Sequence, residues 1–405
     1  MDIEVRPCAS TEELRVAINA INHYFGGENE VEDAERFAQW IELDRMHAAF
    51  DGDRIVGGAG AFTYRMTVPG GVDVSAAGVT VVGVLPTHRR RGLLTSLMKA
   101  QLVDCRERGD LVAYLWASEG TIYGRFGYGL ASRIGSMSLS KDRTRFAQPF
   151  EPRGTVRLVD LEEAARTFPA LYDEVRLQRP GAFSRSKAWW ETRKLFDDPA
   201  RRHGGGVLNR ALLELDGKPA GYALYRVKQD WRSGYSTGTV TISEAVAPTP
   251  ESTRELWRWL LDFDWTSEFS ADLLPLDHPL FLLLAEPRRM QFALNDGVWV
   301  RLIDVGGALS ARSYSGDGKI VLDVTDDLLP ENAGRWRVDA SGAERTDAAP
   351  DLQLDITGLG TVYLGGFGFG DLVRASRAKE LTPAAAARAD ALFATTVLPW
   401  CAEIF

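Results

Sequence analysis

Residues 78–95 read GVTVVGVLPTHRRRGLLT. A β-branched apolar run, Val79 to Val84, stops at Pro86-Thr87; His88, three arginines and Gly92 follow. Apolar positions at helical spacing, among them Leu94, Leu97 and Met98, then run to about Glu107. The pattern predicts a buried strand that hands its end to a helix start. A helix start leaves backbone N–H groups unpaired and carries the positive end of the helix dipole. With arginines beside it, such a start suits a phosphate or pyrophosphate.

Working outward, Ile3 to Arg6 reads as a strand, and Thr11 to Ile21 and Asp33 to Leu43 as helices. His47 to Phe50, Asp51-Gly52 and Arg54 to Met66 form a hairpin signal. Beyond the helix, Leu111 to Trp116 reads as a buried strand, Ser118 to Arg125 as a short helix and Leu130 to Leu139 as another strand. The expected unit is a mixed α/β domain over residues 1–145.

This plan recurs. Ala211 to Leu215, Asp216-Gly217 and Pro219 to Val227 repeat the hairpin, and Thr241 to Val246 with Pro248-Thr249 repeats the strand and its stop. Leu256, Trp259, Leu260 and Phe263 then supply a helix. The same elements in the same order at nearly the same offset imply a duplicated domain over 146–295. Where the first copy has His88-Arg89-Arg90-Arg91-Gly92, the second has Pro250-Glu251-Ser252-Thr253-Arg254. The glycine that lets backbone approach an anion is gone and a carboxylate has entered, so the second copy is expected to be a scaffold without cofactor. Short strands at Ile320 to Val324, Trp336 to Val338 and Leu352 to Leu354, with an Ala-rich helix from Pro383 to Phe393, predict a small α+β domain over 296–405.

A hydrophobic content of 45% with 25% charged residues is that of a soluble globular protein. The net charge of −9 argues against nucleic-acid binding and favours cationic partners. The acids Glu28, Glu30, Glu32, Asp33 and Glu35 cluster near the N-terminus and read first as a solvated helix face. Three cysteines (Cys8, Cys105, Cys401) and five scattered histidines (His23, His47, His88, His203, His278) give no metal-ligand spacing, so no metal is expected. No secretory signal or membrane span is read, and a cytoplasmic location is expected. Gly366-Phe367-Gly368-Phe369-Gly370 lacks nucleotide-loop spacing and reads as a structural turn.

Arg89-Arg90-Arg91-Gly92-Leu93-Leu94 resembles the R/Q-x-x-G-x-G/A pyrophosphate loop of the GNAT superfamily of N-acetyltransferases, with Leu94 in place of the final Gly or Ala. Together with Ser118-Glu119-Gly120-Thr121-Ile122-Tyr123-Gly124-Arg125-Phe126-Gly127-Tyr128-Gly129, Gly221 to Val227, Asp296 to Arg301 and a terminal Phe405, it looks like the enhanced intracellular survival (Eis) family. The resemblance covers all three expected domains. It implies tandem GNAT domains, the second degenerate, then a domain resembling sterol carrier protein.

The resemblance also implies roles. Val82, Gly83 and Val84 would pair with the pantetheine arm of acetyl-CoA. Backbone N–H groups from Arg90 through Arg91, Gly92, Leu93 and Leu94 to Thr95 would hold its pyrophosphate. Ser118 and Glu119 would line the acyl end. Tyr123 would be the general acid, with Tyr128 a structural neighbour, and the α-carboxylate of Phe405 the general base. A homohexamer is implied too. The expected activity is acetyl transfer to an amine of a cationic acceptor such as an aminoglycoside. Acetylation of protein or peptide lysines, and a non-catalytic acyl-CoA or lipid-binding module, remain as alternatives. Aminoglycoside-acetylating members often carry an acid just before the terminal Phe; here that position is Ile404, with Glu403 one place earlier.

Overall fold

The structure is a computed structural model that describes residues 3–202 and 204–405; His203 lies outside the described residues. Two compact units form. One joins residues up to Ser132 with Gly297–Pro399 and Ile404–Phe405; the other holds Arg133–Asp296 with Trp400–Glu403.

The first unit is built on seven described strands: β1 (Ile3–Pro7), β2 (Met46–Asp51), β3 (Arg54–Val68), β4 (Val72–Val84), β5 (Val112–Trp116), β6 (Gly129–Leu130) and β16 (Val298–Leu302). They lie in the order β1-β2-β3-β4-β5-β16-β6. Helices α1 (Thr11–Asn22), α2 (Val31–Phe37), α3 (Leu93–Glu107) and the single turn α4 (Gly120–Tyr123) connect them. The Ser10 hydroxyl caps α1 by accepting from Glu13 N at 3.2 Å. That helix lies close on the sheet: a Cβ on Gly83 would come within 2.7 Å of Ile21 Cβ. Helix α3 buries Leu93, Leu97, Met98, Leu102 and Cys105; of the positions read from its spacing, Leu97 and Met98 are buried and Leu94 is half-buried.

The second unit repeats this order with β8 (Thr155–Leu158), β9 (Asn209–Leu215), β10 (Lys218–Lys228), β13 (Thr239–Val246), β14 (Glu268–Leu274), β7 (Arg133–Ser140) and β15 (Ala293–Asp296). A small hairpin, β11 (Trp231–Arg232) with β12 (Tyr235–Ser236), stands apart from the sheet. Helices α5 (Leu161–Arg176), α6 (Lys187–Trp189) and α7 (Pro250–Leu260) complete it. The duplication read from the two Asp-Gly hairpins therefore extends to the whole strand order.

One strand reading changes. Leu130 to Leu139 is not a single strand: Gly129–Leu130 stays in the first sheet, while Arg133–Ser140 pairs with β14 and β15 in the second. In return β16, from beyond the second sheet, pairs with β5 and β6 in the first. The exchange leaves no local signature, because a strand's alternation is the same whichever sheet receives it.

The remainder of the first unit carries a five-stranded sheet, β19-β18-β17-β20-β21, from β17 (Lys319–Thr325), β18 (Gly334–Asp339), β19 (Gly342–Arg345), β20 (Leu352–Asp355) and β21 (Ala378–Glu380). The 366–370 run is a turn into the helix Phe369–Arg374, whose first N–H donates to Asp390 at 2.5 Å. Arg301 on β16 donates to both oxygens of Asp326 at 2.8 and 2.7 Å, a buried pair that ties the first sheet to this region. The helix Ile356–Val362 lies backbone to backbone on β6 and β16: a Cβ on Gly360 would sit 2.2 Å from Val300 O. Gly360→Ala must push this helix off the sheet, and should lower stability by about 2–3 kcal/mol, read as a lower urea midpoint at unchanged slope.

Candidate active site

Strands β4 and β5 run parallel but pair only from Ala76↔Val112 to Gly78↔Tyr114. Beyond that point β4 continues for six residues with its β5-facing edge unpaired by this ladder. A bulge turns it away. Between Thr80 and Gly83, which face Gly60 and Gly58, β4 holds one residue more than β3, and Val81 adopts φ +47°. A β-branched residue in the left-handed region is a true outlier, a form of strain that clusters at functional sites. The half-buried Val82 and Val84, and Gly83 between them, border the opening. Tyr24, which no sequence motif marks, closes the strand end by donating to Val84 O at 2.7 Å.

Helix α3 starts beside the end of β4. Its N-cap is Gly92, at φ +80°, and no side chain caps it. The first described intrahelical bond is Ser96 N to Gly92 O, 3.0 Å, so the N–H groups of Leu93, Leu94 and Thr95 have no partner within the helix. Arg90 also turns through the left-handed region, at φ +62°. Arg89, Arg90 and Arg91 are exposed, as are Gly92 and Thr95, whereas Leu93 is buried and Leu94 half-buried. His88 belongs to the scaffold instead: it is buried, with Nε2 3.1 Å from Asp51 and Nδ1 2.8 Å from Thr87 Oγ1.

The matching helix start in the second unit is closed. Thr249 accepts from Ser252 N at 3.1 Å and Ser252 Oγ accepts from Thr249 N at 3.1 Å, a reciprocal capping box after which Pro250 offers no N–H. One copy leaves its first N–H groups without a partner in the helix or a side-chain cap; the other satisfies its own.

Ser118 and Glu119 are exposed just past the end of β5, and Glu119 is the N-cap of α4. That single turn carries Tyr123, whose ring is buried and meets Tyr128 edge-on at 6.1 Å. Burial raises the Tyr123 phenol above its ordinary value. Tyr128 is fully buried, and burial raises it much further. Its hydroxyl has no hydrogen-bond partner among the described residues.

Phe405 packs in an aromatic seat, edge-on to Tyr114 at 4.9 Å and Tyr64 at 5.4 Å, with Phe62 at 6.5 Å. A Cβ on Gly78 would lie 3.3 Å from its ring. Phe405 therefore rests against the last β4–β5 pair, Gly78 and Tyr114. Phe62, Tyr64 and Tyr114 come from two different strands, and nothing in their spacing marked them. Phe62 also meets Phe37 at 5.5 Å, so α2, with Glu32, Asp33 and Glu35, adjoins the same aromatic group.

The residues before the terminus divide. The Ile404 side chain is exposed. Glu403 accepts from Trp189 Nε1 at 3.1 Å and lies 3.1 Å from Arg185, 3.6 Å from Arg193 and 3.8 Å from Lys194. Burial opposes its ionisation, but Lys194, Arg185 and Arg193 outweigh that and hold its carboxylate below the ordinary value. Among the described residues no group of three or more His, Cys, Asp or Glu side chains could hold a metal, and no helix is long and apolar enough to cross a membrane.

Residues 4–131 and 181–302 each match an acetyltransferase (GNAT) domain, and residues 305–402 match a sterol carrier protein domain. The N-acetyltransferase Eis of Mycobacterium tuberculosis is 35% identical over 357 residues, covering 85% of each chain. The chain belongs to the Eis family of N-acetyltransferases. An uncharacterized N-acetyltransferase of Streptomyces avermitilis is 40% identical over 385 residues, 93% of each chain. The crystal structure of Eis1 from Mycobacterium abscessus matches over all of both chains, with a TM-score of 0.87 at 34% identity. This Eis-family acetyltransferase thus has two GNAT domains followed by a sterol carrier protein domain. The second GNAT match runs through Val298–Leu302, the strand that lies in the first sheet.

Proposed function

We propose that the first GNAT domain transfers acetyl from acetyl-CoA to an amine of a cationic small molecule, with aminoglycosides the acceptor class to test first. The observation that carries this reading is the parting of β4 and β5 beyond Gly78 and Tyr114, with an uncapped helix start at one side and Phe405 against the last β4–β5 pair. The residues fit the substrate. The edge of β4 at Val82, Gly83 and Val84, which lies beyond the β5 ladder and where Val84 O accepts from Tyr24, can pair with the pantetheine amides as an added strand would. The N–H groups of Gly92 to Thr95, with Arg90 and Arg91, suit the pyrophosphate. Ser118 and Glu119 border the acyl end.

In the reaction the neutral amine attacks the thioester carbonyl, the C–N bond forms and the C–S bond breaks. The amine proton passes to the α-carboxylate of Phe405, directly or through water. A strand N–H stabilises the oxyanion. Tyr123, a phenol protonated at neutral pH and shifted further that way by its burial, gives its proton to the departing thiolate. An ordinary α-carboxylate has a pKa of roughly 3.3–3.7, so it accepts a proton well only from an already acidic, developing ammonium. The acids carried by α2, the helix whose Phe37 packs on Phe62, support a cationic acceptor.

Thiol release should be measured with kanamycin and neomycin, spermidine, and a lysine-containing peptide. Turnover with the aminoglycosides supports the reading. Turnover with the peptide alone would reject the acceptor class, and no turnover with any amine would reject the transfer reaction.

A further inference from the structure

The second GNAT domain contains the same parting of strands, and the chain's own tail forms part of its wall. Strands β13 and β14 pair in parallel only from Thr239↔Glu268 to Ile242↔Ala271. A cavity of about 110 Å³ lies beyond, lined by Ser243–Val246 of β13, by Ala247 after it, and by Asp272–Leu274 of β14. Trp400 and Ala402 form another part of its wall. Trp400 N donates to Pro180 O at 2.8 Å, and its indole Nε1 donates to Leu273 O at 2.5 Å. Trp400 and Ala402 are buried in one core with Tyr222, Leu224 and Val246. A backbone carbonyl at the end of β14 is thus bonded by the chain's own tail, in the opening where the first domain is read as taking an extended ligand.

The next residue is clamped more firmly. The Glu403 side chain is 12% exposed and faces Arg185, Arg193, Lys194 and the Trp189 indole. Arg185 and Lys194 are themselves held by the buried Glu244, at 2.6 and 2.8 Å, and Tyr222 donates to the same carboxylate at 2.6 Å. Arg185 and Lys194 each lie against both carboxylates, Glu244 on β13 and Glu403 on the tail, and Arg193 lies against Glu403. Burying a carboxylate is costly without such partners, so the arrangement specifies where this residue must be. Glu403 and Phe405 are two residues apart, at most roughly 7 Å of chain.

We infer that the opening of the second GNAT domain is a receptor for the C-terminal tail, and that Glu403 is a positioning residue that sets where the Phe405 carboxylate lies. The inference rests on the reading of that carboxylate as the base. The second domain then serves catalysis indirectly, having exchanged an acyl-CoA site for a grip on the segment that ends in the first domain's catalytic group.

The test compares Glu403→Gln and Trp400→Phe with wild type, and with a variant carrying one glycine appended after Phe405. Three quantities are read: kcat and KM for acetyl-CoA, the thermal midpoint, and the rate at which carboxypeptidase A releases Phe405. For Glu403→Gln the expected result is a roughly 10- to 100-fold fall in kcat with KM for acetyl-CoA unchanged, and faster release of Phe405 from folded enzyme. Trp400→Phe, which loses the bond to Leu273 O and part of a buried ring, should change the same quantities in the same direction by less. Unchanged kcat and unchanged release in Glu403→Gln would overturn the positioning role, as would a loss of activity that only tracks a loss of folded protein. If the appended glycine leaves kcat intact, the base reading fails instead. If it abolishes turnover while Glu403→Gln is normal, the tether alone fails.

Discussion

Tyr123→Phe should lower kcat by about 10²- to 10⁴-fold, the usual contribution of one positioned general acid, while acetyl-CoA still binds. The substitution removes one oxygen and keeps a buried ring that packs against Tyr128. Stability should therefore change little. Tyr128→Phe is the matched control. Its hydroxyl is buried with no hydrogen-bond partner among the described residues, so removing it should be neutral or slightly stabilising, with kcat near wild type. Thiol-release kinetics on both variants, with calorimetric binding of acetyl-CoA, check this. Equal, small effects of the two substitutions would remove Tyr123 from the proposed chemistry.

The second large effect is expected from the glycine appended after Phe405. It leaves the Phe405 ring free to pack against Tyr64 and Tyr114 but moves the free carboxylate on by roughly 3.5 Å and replaces it with a peptide carbonyl, which is not a base. With both the charge and its place lost, kcat should fall by about 10²-fold or more, within the range for a general base. Folding should be preserved, because the aromatic seat is intact. Deleting Phe405 is a harsher experiment, since it also empties that seat. A practical corollary is that a tag at the C-terminus should inactivate the enzyme where an N-terminal tag does not. Full activity with the added glycine would exclude the α-carboxylate as base.

Both predictions concern residues whose interest was legible from resemblance but whose setting was not. Residues 78–95 were legible because everything that makes them a strand, a stop and a helix start is local: β-branched residues, Pro86, and Gly92 at a left-handed position. The two hairpins were legible for the same reason. Glu251 and the missing glycine set the second copy apart in sequence, and the capping box between Thr249 and Ser252 that the structure shows there is also written in adjacent residues. His88 shows the limit. In sequence it is one of a basic run, yet it turns inward to Asp51 across 37 residues while its three arginine neighbours remain exposed.

What the sequence by itself determined is the set of local elements, their duplication, and the contrast between a bare and a self-capped helix start. Hydrophobic periodicity, turn residues and capping residues act over a few positions, so they can be read one segment at a time. Only the tertiary structure decided the exchange of β7 and β16, the end of the β4–β5 ladder at Gly78 and Tyr114, the aromatic seat of Phe405 and the ion cluster around Glu403. Each joins residues far apart in the chain, and each depends on which surfaces meet after the strands have paired. An exposed Ile404 and a clamped Glu403 stand side by side in sequence. Only packing against Arg185, Arg193 and Lys194 distinguishes them, because a carboxylate's partners are chosen by the fold and not by its neighbours.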